Sequence, residues 1–435
     1  MARFVVVGGG VIGLCSAFFL KEKGAEVTVI ESRDAAHGAS LVNAGWITPS
    51  LSDPVPAPGL VKTSMKWMLK ADSPLYIHPT SAPKMAGWLA EFWRHCNERD
   101  FNSGMVATAE LNRTTMALYD RLVEAGVQFE MHKDGLLFAY KNPDTMEKDL
   151  KALEPIAAYG YPTPPAMSGD ELYAFEPALG SNVKSAYWFH QERSVQPSSL
   201  VTGLRDWLVE RGVEFRYRQE LTGFVRGGCG ISAVETTGGT IACDGAVIAA
   251  GARSGQLARL AGAYVPLQGG KGYHLDYSPP PAEVKHPIYL HEARVAVTPF
   301  EGTVRLAGTM EFSGINDIVR PARVSAISRT ASTMLANWPA DPARANSIGG
   351  GLRPMTPDGI PVIGLLPGHC NLAIATGHAM LGVTLGPSTG DVIADILADG
   401  EVPEVVKPFS PARFRAGARP VRVIARRAKR SVKRV

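Results

Sequence analysis

FVVVGGGVIGLCSAFFLKEKGAEVTVIE, residues 4–31, constrains this chain more than any other stretch. Its apolar start reads as a buried parallel strand. Gly8, Gly10 and Gly13 follow in G-x-G-x-x-G order, lead into a helix at 11–23, and VTVI supplies a second strand. Gly8 permits a tight turn, Gly10 lets the backbone approach a pyrophosphate, and Gly13 lets helix pack on sheet. Val11 and Ile12 open the helix, whose first N–H groups would face phosphate oxygens. Glu31 ends the second strand, where an acid can accept both ribose hydroxyls and disfavours a 2′-phosphate. The unit predicts an ADP-containing cofactor but leaves the redox ring open.

The rest of the chain narrows the choice. A nicotinamide module would run on without interruption. Here ASLVNAGWITPSLSDPVPAPG (39–59) breaks the pattern with a loop, and helical stretches follow at MKWMLKADSP, PKMAGWLAEFWRHCNERDF and VATAELNRTTMALYDRLVEAGV. The dinucleotide theme returns at 198–225, in a helix and strand, and again at 246–250, another buried strand. Between 266 and 348, GYHLDYS, HPIYLHE, ARVAVTPF and GTVRLAGTMEF alternate as strands of a half-buried antiparallel sheet do. The expected fold class is α/β. A Rossmann-like cofactor domain takes 1–45, 146–255 and 349–405, interleaved with an α+β substrate domain from 46–145 and 256–348. Residues 406–435 form a basic tail.

Charge and cysteine content exclude several classes. Residues 411–435 hold ten Lys or Arg and no acid, whereas the other 410 carry 35 basic and 41 acidic side chains. The body is therefore mildly acidic, and no nucleic-acid-binding fold is expected. Five cysteines stand far apart without a CxxC, which argues against a disulfide framework or a zinc site. The first strand begins at Phe4, leaving no room for a signal peptide, and no apolar run reaches spanning length. A cytoplasmic location is expected. In the tail, Val421, Ile424, Ala425, Ala428, Val432 and Val435 would form one stripe of a basic helix. Such a helix could lie on the inner face of an anionic membrane; the alternative is a solvated tail.

Three separated stretches resemble the FAD-dependent amino-acid oxidoreductases related to D-amino acid oxidase and glycine oxidase, with the bacterial D-amino acid dehydrogenases nearest. They are VVVGGGVIGLCSAFFL with Glu31, SLVNAGWITPS, and the pair GGLRPMTPDGIPVIG and NLAIATGHAMLGVTLGPSTG. The resemblance implies noncovalent FAD, since no cysteine lies between 244 and 369 and Cys370 is misplaced for attachment. It assigns Arg353 to the substrate carboxylate, with Tyr273 helping to orient it. His274 is left out, because it would point the other way on a strand. Ser40, Asn43, Ala44, Gly45 and Trp46 are assigned to one side of the flavin. Gly377, His378, Met380, Leu381, Gly382, Val383 and Thr384 are assigned to the other, and Val225, Ala250 and Gly251 to the rest of the cofactor. No metal is implied.

The implied reaction is oxidation of a small D-amino acid, with electrons passing to a quinone-like acceptor. The alternatives are oxidation of D-proline or hydroxy-D-proline, an oxidase using oxygen, and a nonenzymatic flavoprotein.

Overall fold

A computed structural model describes residues 1–34, 38–60, 73 and 75–417. The expected helix at MKWMLKADSP, with Trp67, falls largely outside these residues, as does the tail stripe from Val421 on.

Two large sheets organise the chain. The first has six strands, in the order Glu214–Arg216, Glu26–Ile30, Arg3–Val7, Gly245–Ile248, Leu372–Thr376 and Val362–Leu365. All joins are parallel except the last. Parallel strands with both faces covered need near-continuous apolar runs, and four of the five residues in RFVVV are buried. The helix Val11–Glu22 buries nearly its whole circumference, from Val11 to Leu20. It is clasped between this sheet and the helix Gly386–Ala394. Gly390 permits that contact, because a β-carbon there would stand 2.6 Å from the Cys15 carbonyl.

The second sheet has nine strands and is mostly antiparallel. At one edge lies the arginine strand, Ser347–Met355. Inward follow the central strand Gln268–Tyr277, the bulged strand Thr303–Phe312, then Val295–Phe300 and Ile288–Leu290. One face packs Tyr273, Leu275 and Tyr277 against Val324 and Ile327 of the helix Pro321–Ala331. The other face looks toward the 38–60 loop of the cofactor side.

The strand membership differs from the expected boundaries. Ala166–Ser168 and Ser185–Phe189, expected with the cofactor domain, pair into the second sheet. So does the arginine strand, through nine consecutive pairs with the central strand. The chain crosses between the sheets more often than motif positions alone disclose. Residues 406–414 also belong to the body rather than to a tail: Val406 and Phe409 are buried, and Arg413 pairs with Asp358 at 2.7 Å.

Cys229 and Cys370 are joined by a disulfide across 141 residues, a single bond where the spacing argued against a disulfide framework. The fold makes the pairing local. Asn371 receives the Ile231 N–H at 2.8 Å, which brings the Cys229 turn beside the last strand's entry.

Candidate functional site

The dinucleotide corner is built from backbone. Gly8 adopts φ 116°, and a β-carbon there would lie 2.6 Å from the Ala249 carbonyl oxygen. At Gly13 a β-carbon would lie 1.9 Å from the Gly8 carbonyl, so helix and turn are in direct contact. Gly10 differs: among the described residues, the one atom near its missing side chain is Ser40 Oγ, at 3.2 Å. That hydroxyl oxygen accepts the Val11 N–H at 3.1 Å, at a helix start with no acid in its first turn. Glu31 Oε2 accepts from the Gly9 N–H at 2.9 Å and Oε1 from the Arg33 N–H at 3.1 Å. Gly251, next to Ala250, gives its carbonyl to the Thr376 hydroxyl at 3.0 Å. A glycine at Gly10 that keeps the backbone bare beside Ser40, a helix N-terminus facing an oxygen, and a carboxylate at the second strand's end fit an ADP moiety.

The 41–46 loop and the 377–384 turn face one another. Asn43 Oδ1 accepts the Gly45 N–H at 2.7 Å, while its amide reaches the Met380 carbonyl at 3.5 Å. Gly45 has φ 83° and lies against the Val195 carbonyl, leaving no room for a side chain. The Ala44 carbonyl accepts from Thr298 Oγ1 at 2.8 Å, and the Trp46 indole N–H donates to the same oxygen at 2.9 Å. Thr384 donates to the Trp46 carbonyl and accepts the Thr48 N–H, both at 3.1 Å. The Val383 carbonyl accepts from buried Tyr119 at 2.7 Å. Gly377 sits at φ 78° against Thr356, and the Leu381 N–H closes on the His378 carbonyl at 2.8 Å. A β-carbon on Gly382 would meet, among the described residues, only His378 Cβ, at 3.9 Å. His378 is buried with Nε2 2.9 Å from Thr389 Oγ1, and burial pushes its pKa down to about 3. It is neutral at physiological pH, so it supplies no cation here.

Arg353 is placed by strand register. It pairs with Gly270, and Tyr273 pairs with Gly350. Side chains alternate between faces, so Arg353 shares a face with Gly272 and His274, and Tyr273 takes the other. A β-carbon on Gly272 would stand 2.3 Å from the guanidinium carbon, so the glycine clears the arginine's path. Nη1 donates to the Thr309 carbonyl at 2.8 Å. Thr309 lies in a bulge of its strand, at φ 60°. Among the described residues no carboxylate lies within ion-pair distance of Arg353. Burial lowers its pKa to about 10, which leaves it charged at neutral pH.

Tyr273 is therefore not beside Arg353. Its hydroxyl donates to Glu311 at 2.8 Å in the core under the sheet. His274 holds the arginine's face instead. It is buried and pushed down to about 4, chiefly by desolvation. Val225 lies away from the other assigned cofactor residues in the core. It is 37% exposed on an outer strand, whereas Leu221, four residues earlier, packs with Ile30 and Val7 beneath the dinucleotide corner. Motif reading missed Arg305 and Thr298, which grip the 41–46 loop from the sheet. The available signal was Asp276 and Arg305, opposite charges inside two apolar strands.

The family model for FAD dependent oxidoreductases matches residues 3–396. The chain belongs to that family and is an FAD-dependent oxidoreductase. It is 31% identical to a D-amino acid dehydrogenase from Methylobacterium sp. (strain 4-46), covering 96% of this chain and all of that one. It is 28% identical to a D-amino acid dehydrogenase from Helicobacter pylori, covering 91% and 95%. Among solved structures, L-proline dehydrogenase from P. horikoshii superposes with a TM-score of 0.74 at 19% identity, covering 96% and 98%.

Proposed function

We propose that this protein is a D-amino acid dehydrogenase. The observation that carries the reading is Arg353, an inward-facing guanidinium whose one hydrogen-bond partner among the described residues is a backbone carbonyl. A half-buried arginine that meets no carboxylate among the described residues calls for an anionic ligand, and its planar fork matches a substrate carboxylate. It stands on the sheet face that meets the 41–46 loop, where Asn43, Ala44, Gly45 and Trp46 would border the flavin. FAD, when bound, supplies the two-electron acceptor. Arg353 would hold the carboxylate so that the Cα–H bond points at that acceptor. Hydride leaves Cα as the neutral amine forms C=N; water then converts the imino acid to a 2-oxo acid and ammonia. His274 and His378 are both neutral, and neither is needed as a base.

Quinone-like compounds are proposed as the electron acceptor, on the strength of the dehydrogenase relatives. FAD is proposed to be noncovalent. Cys370 is bonded to Cys229, and acid precipitation should leave all flavin in the supernatant. Among the described residues no helix is long and apolar enough to cross a membrane. Peripheral contact through 419–435 is a separate proposal. A truncation testing it should begin at residue 419, because Arg413 is packed into the body.

The deciding experiment is anaerobic bleaching of the bound flavin by separate D- and L-amino acids, with both prolines included. Bleaching by D-alanine but not L-alanine supports the reading. Bleaching by L-amino acids alone, or by none, ends it.

A further inference from the structure

We infer that Arg305 is a positioning residue that fixes the 41–46 loop, and with it the flavin, against the substrate sheet. The inference rests on the proposed reading of that loop as a flavin contact.

Arg305 lies on the bulged strand directly opposite Asp276 of the central strand, and it is 5% exposed. Nε and Nη2 donate to the two Asp276 oxygens at 2.7 and 2.9 Å. Nη1 donates to two loop carbonyls, Leu41 and Asn43, each at 2.9 Å. A guanidinium has five N–H donors in a rigid plane, and four are used in this bracket. Asp276 neutralises the buried charge and fixes the plane, so the remaining edge points at the loop. His274 lies 3.8 Å from Asp276 and is held neutral, so it does not compete for the carboxylate. The Phe300 ring lies 5.8 Å from the guanidinium carbon.

The next strand extends the grip. Thr298 pairs with Arg305 across the ladder and holds Ala44 and Trp46 through one hydroxyl. Two neighbouring side chains thus hold positions 41, 43, 44 and 46 in a row. Asp276 lies on the same face of its strand as Gly272, which carries the Arg353 guanidinium above it. One sheet face therefore holds both the loop beside the hydride acceptor and the arginine that would hold the donor. The sheet sets their separation. Misplacing reacting groups by an ångström can cost about 10²-fold in rate.

The test uses full-length, FAD-loaded protein carrying Arg305→Lys or Thr298→Val. Lysine keeps the charge but cannot hold Asp276 and two carbonyls together. Hydrogen exchange of amides 38–50, without substrate, reads the loop. Anaerobic stopped-flow reduction by D-alanine gives a limiting rate and an apparent Kd. Arg305→Lys should speed loop exchange and lower the limiting rate, each at least tenfold, with apparent Kd changed less than threefold. Thr298→Val should shift both in the same direction by less. Unchanged exchange, or a normal limiting rate in a folded variant, overturns the role. If Arg305→Lys does not fold, Thr298→Val decides: a slower limiting rate at constant Kd supports the role, and wild-type values overturn it. Failure of the underlying reading looks different. Wild-type protein would then show no added protection of 38–50 when FAD binds, and the inference would fall with it.

Discussion

Gly13 and Gly272 both lack a side chain because something else occupies the space, but they differ in what that is. At Gly13 it is the Gly8 carbonyl, five residues away on the same turn. At Gly272 it is the guanidinium of Arg353, 81 residues away on a neighbouring strand. The first constraint is local and backbone against backbone. The second is set by strand register and ends on a flexible side chain. One glycine guards a fold element, and the other guards the reach of a functional group.

The largest expected effect tests the second region. Arg353→Ala should retain FAD and the fold but lose most of kcat/KM with D-alanine. Removing one partner of a desolvated charge pair costs about 2–5 kcal/mol. Arg353→Lys should also be impaired, since an ammonium lacks the planar fork. Steady-state kinetics and flavin content check both, and near-normal turnover in both variants removes Arg353 from the site. The charge also predicts a pH limit. With a pKa near 10, Arg353 is cationic below that value, so carboxylate binding should weaken as pH rises through it.

The next pair compares the glycines directly. Gly13→Ala drives a β-carbon into backbone that cannot rotate away. Overpacking of this kind costs typically about 1–3 kcal/mol, and the melting temperature and FAD affinity should fall together. Gly272→Ala meets only a guanidinium, which can move. Melting should change little, while the apparent Kd for D-alanine rises as Arg353 is displaced. If both variants lose stability equally, the two regions are not different in kind.

How much of this was readable in advance follows the same divide. The strand, turn and helix at 3–22, and Glu31, follow from spacing, although only Gly13 answers to a near neighbour, the Gly8 carbonyl, while Gly8 itself meets Ala249. Arg353 was singled out through the GGLRP motif and the resemblance it carries, and its role is a proposal. Its relation to Tyr273 was not readable, because a face is assigned only once nine pairs fix the register. His274 was set aside for pointing the other way, and the register reverses that choice. The Cys229–Cys370 bond and the Arg305 bracket join segments far apart in sequence, and only the folded arrangement brings them together.

Glu192 supports the loop beyond Trp46. It is fully buried, and Oε1 accepts the Ser50 N–H at 2.9 Å. Desolvation raises its pKa from 4.5 to about 8. A raised carboxyl pKa means the folded state keeps a proton that the unfolded chain loses above 4.5. The contribution to stability is full below that value and is lost as pH rises through 8. Glu192→Gln keeps the acceptor and removes the ionisation. Denaturant titrations should show no gain at pH 4, rising to roughly 1–2 kcal/mol at pH 9, a discounted share of the linkage. A gain independent of pH would show that Glu192 does not titrate in this range.

The smallest effect belongs to Tyr273, where the expectation from motif and the geometry of the strand part company. If Tyr273 oriented the substrate, Tyr273→Phe would raise the KM for D-alanine and weaken inhibition by simple carboxylates. The register places its hydroxyl on Glu311 instead, beneath the sheet. There Glu311 also accepts from Arg320 at 3.0 Å, so it keeps a cationic partner when the tyrosine oxygen is removed. The ring remains and continues to fill its place beside Leu275 and Tyr277. Losing one buried hydrogen bond while the acceptor stays paired should cost about 0.5–1.5 kcal/mol of stability. The kinetics should stay within a factor of two. Measured together, a lowered melting temperature with unchanged KM assigns Tyr273 to the core face. A raised KM at unchanged stability would mean that its influence reaches through the sheet to Arg353, and that the two faces are coupled.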